Sequence, residues 1–263
     1  MIDGIVIYNE KDVEKNKAYI NWLIEEGRKK DINISLVLDK DIDNVKYNYK
    51  FALNRSRNFN ITYKLEEEGI RVFNNYKFCI LGNDKLIAYD YVETLGIKYP
   101  WVYRTIKEIN ENKKILEKPK NGHGGANIKI LDTLKNLDFS QNVYQEYIED
   151  YIGDIRFYII NNKIEHAVIR IAEEGNLVSN FTKGGSVKVY NYSNKEEEII
   201  NKILNNLKID FGGIDFLLSK NGEILFNEFE DAVGSRMLSY LGINDTMEKY
   251  LNHIANEIKR DGL

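Results

Sequence analysis

Cysteine, proline and histidine are scarce in this chain of 263 residues, which has one Cys, two Pro and three His. The single Cys79 excludes an intrachain disulfide, and His123, His166 and His253 are too scattered for zinc-ligand spacing. Metal chemistry, where it occurs, must therefore be carboxylate chemistry. With so few prolines there is no Pro-rich linker, so subdomains must join through short connections. No apolar run approaches the roughly 20 residues that cross a bilayer. The opening MIDGIVIYNEKD lacks a basic segment followed by a long apolar one, so a cytoplasmic location is expected. Excess charge is also lacking. A net charge of -4 gives no global basic field, so neither nucleic acid nor a membrane surface is an expected partner, and any anion site must be local.

What is present suits a soluble chain with a substantial core: 43% hydrophobic and 30% charged residues. The apolar run at 4–8 reads as a buried strand, the charged stretch around Trp22 as a helix ending near Gly27, and 34–38 as a second strand. Segments 51–55 and 71–74, with a polar helix before Gly69, extend this βαβ pattern into a small α/β unit. A helix over 83–95, closed by Gly96, then leads through Pro100 into strands at 114–117 and 128–131, joined by the glycine-rich NGHGGAN. Further strands are expected at 143–148, 155–160 and 164–172. A helix at 195–207, strands at 212–218 and 223–230 around a Lys220-Asn221-Gly222 turn, and an amphipathic helix at 245–259 complete the chain. No internal repeat is visible.

Several residue sets are suited to chemistry. Asp215 lies on one expected strand, and Glu228 and Glu230 lie two apart on the next, so strand alternation points both glutamates to one face. Their neighbours are apolar, and buried acids need a partner. Hard oxygen ligands of this kind suit Mg²⁺. Lys118 follows a strand and precedes Gly122, Gly124 and Gly125, a combination that lets backbone N–H groups and a compact positive charge approach phosphate oxygens. Neither a Walker motif nor a G-x-G-x-x-G fingerprint is present, since Asn127 stands where the last glycine of the latter would be. Lys85, Arg156, Arg170, Lys183 and Arg236 are basic residues in apolar or glycine-rich surroundings; Arg170, Lys183 and Arg236 suit binding of a second carboxylate.

The order of these pieces, and the stretch YQEYIEDYIGDIRFYIINNKIEHAVIRIAEEGNLVSNFTKGGSVKVY in particular, resembles the RimK-like branch of ATP-grasp ligases, from about Val72 to Leu238. The resemblance implies a mixed α/β and α+β architecture: an N-terminal pre-ATP-grasp α/β domain (1–80) and two α+β subdomains enclosing ATP. The central subdomain (81–144) would carry the glycine-rich lid, and the C-terminal one (145–263) the metal site. Lys85 and Lys118 match the phosphate-contacting lysines, and Gly124 and Gly125 the lid. Gln145, Glu146, Tyr147 and Ile148 match the segment that meets adenine, and Asp154 the approach to the ribose. Asp215, Glu228 and Glu230 fall on magnesium positions, where Mn²⁺ is also compatible. Arg156, Arg170, Asn180 and the Lys183-Gly184-Gly185 turn match positions near the acyl-phosphate or acceptor site.

The chain departs from the family pattern in two places. Glu228-Phe229-Glu230 replaces the usual E-x-N, and EDAVGSRML replaces the N-x-S-P-G continuation. The extra charge of Glu230 is expected to tighten metal binding. The implied reaction is ATP-dependent condensation of a carboxylate with an amine through an acyl phosphate, with Arg156 or Arg170 as oxyanion donor and the lid excluding water. Small-molecule and peptide carboxylates and amines are both open as substrates. The alternatives are an ATP-grasp enzyme with another acceptor and a nucleotide-binding relative without ligase activity. Oligomeric state is not legible, and a homo-oligomer is compatible.

Overall fold

The apolar run at the N-terminus forms strand β1 (Ile2–Tyr8), with Ile5, Val6 and Ile7 all buried. Such a strand needs cover on both faces, which helices of βαβ crossovers provide. The computed structural model describes residues 1–45, 48–110, 112–125, 127–171, 186–260 and 262. Helix α1 (Glu10–Arg28) follows β1, and strands β2 (Ile32–Leu38) and β3 (Phe51–Asn54), helix α2 (Phe59–Glu67) and strand β4 (Arg71–Val72) complete a parallel sheet of order β2-β1-β3-β4. Gly4 is required where it stands, because a Cβ there would lie 2.3 Å from the Phe51 ring.

The single helix expected over 83–95 is instead the second of two: α3 (Tyr76–Asn83) and α4 (Lys85–Thr94), broken at Asp84. Asp84 is extended, and its carboxylate accepts from the N–H groups of Leu86 and Ile87, so its side chain competes with helix continuation and restarts the helix. Lys85 is thereby fixed as the first residue of α4, and it is buried.

Strands β5 (Val102–Tyr103), β6 (Ile115–Pro119), β7 (Lys129–Ile130) and β8 (Asn142–Glu146) make an antiparallel sheet of order β5-β8-β6-β7. The third sheet is also antiparallel, with order β11-β10-β9-β12-β13. Its members are β9 (Tyr151–Ile160), β10 (Lys163–Ile171), β11 (Ser186–Val189), β12 (Phe211–Ser219) and β13 (Ile224–Glu230). Helix α5 (Asn194–Leu204) lies between β11 and β12 in the chain and starts in a capping box built by Ser193 and Glu196.

Both faces of the third sheet are covered. Ile155, Phe157, Ile214 and Phe216 face a core shared with α5 and the α3–α4 pair. On the opposite face, Tyr158, Ile160 and Phe211 join Val6, Tyr8 and Leu23 of the first unit. Helix α6 (Arg236–Tyr240) and helix α7 (Thr246–Arg260) end the chain, and Met247, Leu251 and Ile254 of α7 enter this second core. The C-terminal helix therefore packs back onto the N-terminal unit. Asn74 fastens the same junction: its amide donates to the carbonyls of Phe211 and Asp231 and its oxygen accepts from the N–H groups of Asp210 and Phe211. Charged and polar side chains on the second face of β9, β12 and β13 are consequently held within a rigid sheet at the edge of this core.

Candidate active site

The three carboxylates of the third sheet converge. Asp215 pairs in register with Glu228 across β12–β13 and with Arg156 across β12–β9, while Glu230 lies opposite Gly213. Residues directly opposite in an antiparallel pair share a face, so strand pairing alone brings acids and arginine together. Oxygens of Asp215, Glu228 and Glu230 lie within 4.8 Å of one another. Asp215 has no exposed surface. Arg156 donates from Nε and Nη2 to its two oxygens at 2.7 Å each and from Nη2 to Glu230 at 2.9 Å, and Arg170 adds a contact of 2.8 Å.

This geometry splits the acidities of the two groups. Burial would raise the Asp215 carboxyl, but Arg156 and Arg170 outweigh it and hold it below the usual carboxylate range. Burial dominates for Glu230, which is pushed up despite Arg156 and with the help of the Glu228 and Asp215 charges. A crowded acidic set with one member reluctant to ionise is what a divalent cation relieves, so the donor chemistry fits Mg²⁺. Arg156 also answers the departure at Glu230: the extra charge has a guanidinium partner already in place.

The lysines stand next to these acids. Lys85 Nζ is 3.5 Å from Glu228 and also donates to the Gly122 carbonyl, at the root of the glycine loop. Lys118 Nζ donates to Asn227 Oδ1 at 2.8 Å. Burial, with Lys85 adding to it against Glu228, lowers the Lys118 ammonium to about 8. Gly124 and Gly125 adopt φ of 63° and 69°, a region that favours glycine.

Beside Lys118 opens a small cleft of about 70 Å³ between the second and third sheets. Gln145, Tyr147, Ile148 and Asp154 line it, as does Lys118. Gln145 is buried and accepts from Tyr89 Oη at 3.0 Å, and Asp154 accepts from Tyr151 Oη at 3.1 Å. Leu116, Ile128, Tyr151, Leu217 and Asn227 complete the lining and were missed in the sequence. Strand alternation from Asp215 to Leu217 and from Lys118 back to Leu116 carried a usable signal for two of them.

Other expected residues lie apart from this cleft. Glu146 pairs with Lys113 at 2.6 Å and lines a neighbouring depression with Glu149 and Asp150. Arg236 is exposed, and its Nη2 donates to the Lys15 carbonyl at 3.3 Å. Asn180, Lys183, Gly184 and Gly185 lie outside the described residues. Among the described residues, the buried Nε of Arg170 has no hydrogen-bond partner.

The likeness over the whole chain places this fold in the ATP-grasp ligase class. The D-alanine–D-alanine ligase from Bacillus anthracis superposes with a TM-score of 0.75 at 16% identity, covering 99% of this chain and 98% of that one. The family model for the RimK-like ATP-grasp domain matches residues 65–254, and the chain belongs to that family. Among curated relatives, the uncharacterized protein MG011 of Mycoplasma genitalium is 27% identical over 90% of this chain and 87% of its own length. A probable alpha-L-glutamate ligase of Histophilus somni is 28% identical over 51% of this chain and 44% of its own length. No helix among the described residues is long and apolar enough to cross a membrane.

Proposed function

We propose that the chain couples cleavage of ATP to ADP and phosphate with amide formation, activating a carboxylate as an acyl phosphate and passing it to an amine. The observation that carries this reading is a continuous run of suitable groups: the apolar cleft around Leu116, Tyr147 and Leu217, then Lys118 and Lys85, then Asp215, Glu228 and Glu230. Adenine suits the apolar end, with Gln145 and the backbone of 145–148 beside it, and Asp154 suits the ribose hydroxyls. Lys118 and Lys85 would position the phosphates.

Asp215, Glu228 and Glu230 would hold Mg²⁺, which neutralises phosphate charge when bound. The substrate carboxylate oxygen attacks the γ-phosphorus as ADP leaves. The amine nitrogen then attacks the acyl carbon, loses a proton, and phosphate departs. Arg156 spends Nε and Nη2 on Asp215 and Glu230, so it acts by fixing the acids. Arg170, with Nε unpartnered among the described residues, is the better oxyanion donor, a role worth about 10²–10³ in rate. The glycine loop, tied to Lys85 through Gly122, would close over the phosphates and exclude water. The relative named a glutamate ligase supports an amino acid as one substrate.

The test is ADP release from purified protein with ATP and Mg²⁺ against pools of amino acids and short peptides, with mass spectrometry of the mixture. A condensed product lighter by one water than its parts is the expected result. ATP binding without turnover across those pools would favour a nucleotide-binding protein without ligase activity.

A further inference from the structure

A cavity of about 480 Å³ opens on the α5 face of the third sheet, where the β12–β13 turn meets the start of α5 and the end of α4. Its size falls within the range of about 300–1,000 Å³ common to small-ligand sites. Strand alternation puts it across the sheet from the nucleotide cleft: Tyr151 and Leu217 line the cleft, and their neighbours Ile152 and Leu218 line the cavity. The sheet is the wall between the two, so this cavity is no extension of the cleft.

Its lining has two parts. Ile97, Leu218 and Ile224 are buried and Ile199 is half-buried, making an apolar floor that the exposed Ile152 extends. Around this floor stand four lysines, Lys98, Lys195, Lys202 and Lys220, against two glutamates. Both glutamates are already engaged. Glu196 accepts from Tyr190 Oη at 2.7 Å and from the Ser193 N–H and Oγ at 2.7 and 2.8 Å, and Glu223 accepts from Lys98. Lys195, Lys202 and Lys220 make no ion pair among the described residues. On a chain of net charge -4 they form a local positive cluster. The rim is also pinned: the Lys220 N–H donates to the Asp150 carbonyl and the Phe226 N–H to the Lys98 carbonyl, both at 2.8 Å. Lys195 and Lys202 lie seven apart on one face of α5, a rigid base for both.

We infer that this cavity binds a small metabolite with an apolar body and a phosphate monoester group, the body on Ile97, Ile199 and Leu218 and the phosphate among Lys195, Lys202 and Lys220. Charge complementarity sets the sign of the ligand, and the type of cation sets its group. Among the described residues no arginine lines the cavity, so the planar fork that grips a carboxylate at two points is missing. Lysine ammonium groups are compact charges that suit a tetrahedral, doubly charged phosphate. A bare phosphate would leave the apolar floor in water, and an uncharged apolar molecule would leave three lysines unmatched. The site is independent of the ligase reading and gives the chain a second ligand.

The experiment is calorimetric titration of naphthyl phosphate into the full chain, with and without Mg²⁺ and a non-hydrolysable ATP analogue at saturation. Naphthol and inorganic phosphate, each carrying half of the recognised feature, are titrated beside it. The probe binds in both conditions, and each half binds at least about tenfold more weakly. Combining Lys195→Met, Lys202→Met and Lys220→Met keeps the apolar stems, removes the charges and weakens the probe about 10- to 100-fold. The same change at Lys11, Lys50 and Lys107, exposed lysines elsewhere, leaves the probe affinity as it was. Ile152→Glu places a negative charge on the floor and weakens the probe by a similar factor while analogue affinity holds. Every substituted residue is exposed, so the fold survives. Probe affinity weaker than about 1 mM, a probe site present only when the analogue is left out, or equal losses in the two triple variants overturns the inference. So does binding of a hexaglutamate peptide through these lysines with none of the probe, which would make the cavity a docking point for an acidic polypeptide.

Discussion

Among the described residues two clusters of ligand-type side chains border β12, and they differ in how far their acids are already neutralised. Asp210, His253 and Glu257 have ligand atoms within 4.8 Å of one another, as do Asp215, Glu228 and Glu230. In the first cluster every acid is met by cations. Arg71 donates to both oxygens of Asp210 at 2.7 and 2.9 Å, His253 lies 2.8 Å from it, and Lys208 and Arg260 hold Glu257. These partners come from β4, α7 and the segment between α5 and β12, so the cluster fastens the N-terminal unit and the last helix to the third sheet. In the second cluster the cations gather on Asp215, while among the described residues Glu228 has only Lys85 at 3.5 Å and stands beside Lys118 and the cleft. Proximity of carboxylates is therefore a poor guide to metal binding; what separates the two is whether the acids are already neutralised and whether a ligand can reach them.

The sharpest way to break this contrast is to remove one acid from each cluster. Glu228→Gln keeps the shape of the side chain and removes its charge, and should reduce ADP formation by a factor of about 10³ or more, with an unchanged thermal transition. Turnover near the wild-type level would sink the metal assignment. Asp210→Ala should do the reverse. It leaves the half-buried Arg71 and the buried His253 without their partner and should cost about 3–5 kcal/mol in a urea titration, with catalysis intact in the protein that remains folded. A stability change below about 1 kcal/mol would mean that the latch is not made by these charges.

The sequence carried one of these clusters and concealed the other. Glu228 and Glu230 are visible because alternation in a seven-residue strand puts both on one face, and Asp215 because it interrupts an apolar run. Lys118 and the glycine loop are legible for the same local reason. The Asp210 cluster is not, since Arg71, Asp210 and His253 meet only when α7 folds back onto the first unit, and no local pattern announces that. The break at Asp84 was hidden too, because the apolar pattern runs on through 76–95 and only the side-chain cap divides it. The partners of Arg156 were beyond reach for a further reason. Pairing β9 directly beside β12, across an intervening hairpin partner and helix, is a long-range choice that strand patterns do not encode.

Within the second cluster, the departure at Glu230 gives a smaller effect. Glu230→Asn restores the family's usual ligand and releases part of Arg156, so turnover should persist. The Mg²⁺ concentration for half-maximal ADP release should rise by about tenfold, as one carboxylate ligand is lost. Equal Mg²⁺ dependence in the two proteins would show that Glu230 serves Arg156 and not the metal.

Lys118 provides the gentlest probe, because pH alone changes it. Its ammonium titrates near 8 instead of the usual lysine value of 10.5, burial being the main cause. In the folded protein the charge is mostly present at about pH 7 and mostly absent at about pH 9, so ATP affinity should fall by about tenfold over that interval. For folding the sign is opposite. The unfolded chain holds the proton up to about 10.5, so this group's penalty applies in full below about 8 and is relieved as pH rises between the two values. Lys118→Arg keeps its charge throughout, and its ATP affinity should be flat where the wild type declines. Parallel profiles for the two proteins would assign the decline to another group and leave Lys118 with no part in holding phosphate.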